Sequence, residues 1–186
     1  MRRTSLALLV LAALGLAACD SRRAGVTTPP AERDDPTLST GLLVALGQAK
    51  AYHHLADLHL AEGDPDAAAG ALRQILAVRF PAGAAEGEET LLDARARLAK
   101  VELGRGRVDE ARHVVDEGLA APARESFFLA NLYTVSGEVH EAFARSLDAT
   151  DIAGARAERR AAIAAYHRAI EIDERVQQAL DKEARP

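Results

Sequence analysis

The chain carries the same spacing of small and large residues twice. From Leu55-Ala56, Ala68, Leu72 and Ile75 follow at +13, +17 and +20, counted from the leucine. From Leu98-Ala99, Ala111, Val115 and Gly118 stand at the same three places. A turn with glycine lies midway in each unit, at Gly63 and Gly106, and a proline closes each, Pro81 and Pro122. Small residues at paired positions let two helices of a hairpin approach closely, while larger neighbours fill the groove between hairpins. After Pro36 nothing resembles a strand. Alanine, leucine, glutamate and arginine dominate, all strong helix formers. Gly63-Asp64-Pro65 reads as a helix stop, a cap and a first-turn proline. Gly104-Arg105-Gly106, Phe80-Pro81-Ala82-Gly83 and Ala121-Pro122 interrupt the pattern in the same way, which predicts stacked helical hairpins.

A third unit is less regular. Ala162, Tyr166 and Ala169 occupy the +13, +17 and +20 places within AAIAAYHRAIEID, and its first helix would contain Ser136-Gly137. Ser136 to Ala162 is 26 residues, twice the usual interval, so both helices of this hairpin are expected to be longer by about two turns each. The tail from Glu174 either caps the stack or continues the helix. An extra loop, AGAAEGEE, separates the first two units.

From Gln48 to Asp173 this pattern resembles the tetratricopeptide repeat (TPR), a helix–turn–helix unit. The resemblance implies an all-α fold: a short TPR-like solenoid of about three antiparallel helical hairpins, the last one extended. It also implies a concave groove lined by the first helix of each hairpin. Carried onto this chain, the groove positions are Lys50, His53, Asp57 and Leu60; then Asp93, Ala96, Lys100 and Leu103; then Asn131, Thr134, Glu138 and Glu141. That mixture of polar groups and leucines suits a peptide or an extended protein segment.

The N-terminus has a separate logic. Met1-Arg2-Arg3 is a basic opening, and Leu6 to Ala18 is an uncharged run of 13 residues. That is shorter than the roughly 20 a membrane-spanning helix needs and fits a signal-peptide hydrophobic region. Cys19, the chain's only cysteine, follows at once. Leu16-Ala17-Ala18-Cys19 resembles a bacterial lipobox, which implies acylation of Cys19 and removal of residues 1–18. Two or three acyl chains anchor firmly where one does not. Residues 19–35 then form the acylated cysteine and a flexible tether: DSRRAGVTTPPAERDD is polar, with Pro29-Pro30 and no hydrophobic period. Residues 36–186 form the helical-repeat domain. The expected location is the bacterial cell envelope, anchored to the inner or the outer membrane, with the domain in the periplasm. Loss of Arg2 and Arg3 makes the chain more acidic than its overall −5, which disfavours nucleic acid as a partner.

Catalytic signatures are incomplete. His140-Glu141 opens like HExxH, but position 144 is alanine. Gly104 and Gly106 open like a dinucleotide loop, with neither the last glycine nor a preceding strand. His53, His54 and His59 are separated by 1, 5 and 6, so no two share a helical face at i+3 or i+4. Arg156, Arg159 and Arg160 make a basic stretch, read as salt-bridging surface or, more sharply, as an anion or lipid contact. The reading therefore expects no enzyme activity, no cofactor and no small-molecule substrate. It expects a membrane-anchored scaffold or assembly factor binding another envelope protein or peptide. The alternatives are a structural, self-associating envelope lipoprotein and a metal-handling protein using the histidine cluster.

Overall fold

Four of the six helices begin at a side-chain cap. The structure, a computed structural model, describes residues 39–184. Its helices are α1 (Thr40–Ala61), α2 (Pro65–Leu76), α3 (Ala85–Gly104), α4 (Val108–Ala120), α5 (Phe127–Leu147) and α6 (Ile152–Glu183). Ser39, Asp64, Ser126 and Asp151 cap α1, α2, α5 and α6, each side chain accepting from a backbone N–H of the first turn. Pro65 sits in the first turn of α2, where its missing N–H costs nothing. Gly63 and Gly106 turn the chain between paired helices with φ of 75° and 74°, which only glycine adopts freely. Among the described residues there is no strand, and no helix is long and apolar enough to cross a membrane.

Successive helices pair as α1–α2, α3–α4 and α5–α6, and each pair packs on the next through α1–α3, α2–α3, α3–α5 and α4–α5. The repeat spacing marks the places where the pairs close. Ala56, Ala68, Ala99 and Ala111 are completely buried, and Ala162 and Ala169 nearly so. Gly137 lies under the Tyr166 ring: a Cβ there would stand 2.5 Å from Tyr166 Cε1. Larger side chains, Leu72, Ile75, Leu98, Leu132 and Ile172 among them, fill the spaces between. Alanine-rich seams of this kind give close helix approach with little side-chain entropy to lose.

The third hairpin takes its extra residues into both helices. α5 runs past Gly137 to Leu147, and α6 begins at Ile152, well before Ala162. The tail continues α6 to Glu183 rather than folding back as a cap. AGAAEGEE is only partly a loop: from Ala85 it forms the start of α3, where Gly87 passes under Phe80, with Phe80 Cβ 2.7 Å from where a Cβ on Gly87 would be. Residues 1–18, Cys19 and the tether to residue 35 lie outside the described residues, as does the start of the domain at 36–38.

One ion cluster is buried between the first two hairpins. Glu102, fully inaccessible, accepts from Arg73 of α2 at 2.6 Å and from Arg105 at 2.8 and 2.9 Å. Arg105 continues to Asp66 at the start of α2. The cluster pins α2 against α3 at the turn into α4.

Candidate functional site

α3 is enclosed by α1, α2, α4 and α5, so it exposes little more than one stripe. Glu86, Thr90, Asp93, Arg97, Lys100 and Gly104 follow one another at helical spacing along that stripe. Opposite runs a stripe of α1: Leu46, Lys50, His53, Asp57 and Leu60. Between them lies a cleft of about 590 Å³, with Leu46, Ala49 and Phe128 as its apolar surface. Lys50, His53, Asp57 and Asp93 line it, joined by His54, Glu86, Glu89 and Arg97. A second hollow of about 420 Å³ continues past Arg97 along Leu60, Lys100, Val101 and Gly104. Arg97 borders both, so the two form one groove along α1 and α3.

Arg97 organises its centre. It pairs with Asp57 and approaches His53 Nδ1 with Nη1 at 2.9 Å. A guanidinium only donates, so Nδ1 accepts and the proton of neutral His53 sits on Nε2. His53 Nε2 lies 3.6 Å from Asp93 Oδ2. Burial lowers the His53 pKa below its usual 6.5, and Arg97 adds to the effect, outweighing Asp93 and Asp57. Near neutral pH the ring is therefore uncharged. Among the described residues Lys50, Glu86 and Glu89 make no ion pair.

The remaining groove positions divide. Lys100 reaches across to Glu138 on α5 at 3.3 Å. Glu141 accepts from the Tyr166 hydroxyl at 2.9 Å and lines a separate hollow between α5 and α6. Burial pushes the Tyr166 pKa up to about 12, with the Glu141 bond adding to it, so the hydroxyl stays a donor. Thr134 turns its hydroxyl to the carbonyl of Ala130, and Asn131 is half-buried beside it. Ala96 is completely buried, and Leu103 packs against the core. The groove register on α3 thus runs through Arg97, which the repeat alignment left out. The run of polar residues at 86, 90, 93, 97 and 100 was the signal that could have found it.

The histidines share no metal geometry: among the described residues no three His, Cys, Asp or Glu side chains group to hold an ion. His140 belongs to a different cluster, with Nδ1 2.6 Å from Glu158 Oε2. Arg112 reaches the same oxygen at 2.8 Å and stacks over the Phe143 ring, 3.5 Å from its centroid. Burial alone would raise the Glu158 pKa, but the hydrogen bonds from His140 and Arg112 outweigh it and hold it below the usual range.

No family model matches the chain, and no match is found among curated proteins or solved structures. The structure defines a class: an all-helical domain of three successive helix pairs with a groove along α1 and α3 whose apolar surface is flanked by charged side chains.

Proposed function

We propose that this chain is a membrane-anchored, protein-binding scaffold of the bacterial cell envelope, built as a short TPR-like solenoid. It holds an extended segment of another envelope protein in the groove between α1 and α3. The groove's composition carries this reading: an apolar surface flanked by charged side chains, with Lys50, Glu86 and Glu89 in no ion pair among the described residues. Such a surface offers apolar contact for anchoring residues and charge for register. The lipobox resemblance at Cys19 supports the anchor, and the polar stretch after it supports a tether.

Two experiments test this. Labelled fatty acid should enter the wild-type chain and not the Cys19→Ser variant; a chain that takes no label ends the anchor reading. A photo-crosslinking residue at Lys50 in living cells should give a specific adduct with another protein. The same residue at exposed His113 on α4 should give none. Arg112, one residue earlier, is no substitute control, because it is engaged with Glu158 and Phe143.

A further inference from the structure

α1 is apolar on the side that faces away from the molecule. Leu55 and Leu58 are 41% and 63% exposed, with Val44 and Ala51 on the same face. Ala56 takes the place of Ala99, so Leu55 corresponds to Leu98 of α3, Leu58 to Val101 and Glu62 to Arg105. On α3 these are the residues that α2 covers: Leu98 is 1% exposed and lines a crevice with Leu76. Glu102 and Arg105 there hold Arg73 and Asp66 of α2. Among the described residues, α1 repeats this seat with no helix on it.

The other end of the chain repeats what would fill it. Ala162 takes the place of Ala68, so Arg160, Ile163, His167 and Ile170 of α6 correspond to Asp66, Ala69, Arg73 and Leu76 of α2. That is the face α2 lays on α3, and on α6 it is exposed, with Ile163 and Ile170 more than half accessible. Of the two ion pairs one is matched, with reversed sign; Arg73 and Glu102 correspond to His167 and His59. Where Asp66 meets Arg105 inside the chain, Arg160 would meet Glu62. Among the described residues neither Arg160 nor Glu62 makes an ion pair. End units of a repeat stack ordinarily carry a polar outer face, and here neither end does so fully.

We propose that copies of this chain associate head to tail, the outer face of α6 on one copy seated on the outer face of α1 of the next, as α2 seats on α3. Ile170 then lies on Leu55, Ile163 on Leu58, and Arg160 beside Glu62. The interface is heterologous, so each copy leaves one free end of each kind and longer rows can form. The partner groove between α1 and α3 is on a different face of α1, and this inference stands independently of its use.

Disulfide trapping with an added oxidant, on lysates of cells making the full chain, tests it wherever the chain resides. Leu55→Cys and Ile170→Cys are both at exposed positions. Co-expressed as separate tagged chains, they should give a mixed dimer at least tenfold above either variant alone and above the parent chain carrying Cys19 only. Both substitutions in one chain should give a ladder of oligomers. Arg160→Glu should reduce the mixed dimer at least tenfold, and Glu62→Arg in the other chain should restore it. A Leu55–Leu55 type link would overturn the proposal in favour of paired α1 helices. Linkage of position 55 to a different protein, or no linkage in chains that fold normally by circular dichroism, would also overturn it.

Discussion

His53 is the residue whose chemistry is most tightly set by its neighbours. Burial disfavours its charged form, and since Nδ1 faces a guanidinium and Nε2 an aspartate, a second proton would also have to sit against Arg97. The folded state therefore binds that proton less readily than the unfolded chain, whose histidine titrates near 6.5. The associated stability is present above 6.5 and is lost as pH falls toward the lower folded value. Chemical-shift titration should place the His53 midpoint below 6.5. A His53→Gln variant should lose part of the decline in denaturant midpoint between pH 7.5 and 5.5; an unchanged decline would mean that His53 is not its source. Gly137 is constrained by shape instead. Ala at this position puts a methyl 2.5 Å from the Tyr166 ring and should destabilise the fold by about 1–3 kcal/mol in urea unfolding. Adding Tyr166→Leu should recover part of that loss, since the ring is what the methyl meets.

At the scale of elements, Glu102 joins α2 and α3 at the turn into α4. Glu102→Gln removes the charge that faces Arg73 and Arg105 and should cost about 3 kcal/mol, measured by urea denaturation. A change within a few tenths would mean that the arginines repartner with Asp66 or Glu110. Most of the helix boundaries were legible beforehand from individual residues. Asp64-Pro65 and Gly106 set their turns through local chemistry, and Gly137 marked the close approach in the third hairpin. Packing decided the rest. Nothing local says that Glu102 is buried, because its partners come from a helix nearly 30 residues away as well as from Arg105 beside it. Ala96 and Arg97 are one position apart, and only the four neighbours around α3 determine which of them faces outward. Nor does helix propensity encode Phe80 closing over Gly87 in the first turn of α3, a contact between segments.

For the whole molecule, the function proposed above is that of an anchor and a tether followed by a helical domain, whose groove along α1 and α3 holds another envelope protein. Photo-crosslinking at Lys50 and at Leu60, two places along the groove, with His113 as the outside position, tests it most directly in the native cell. The account predicts one and the same non-self protein joined at Lys50 and Leu60 and absent at His113, identified by mass. Adducts only with other copies of this chain, different proteins at the two groove positions, or equal adducts at all three would contradict it.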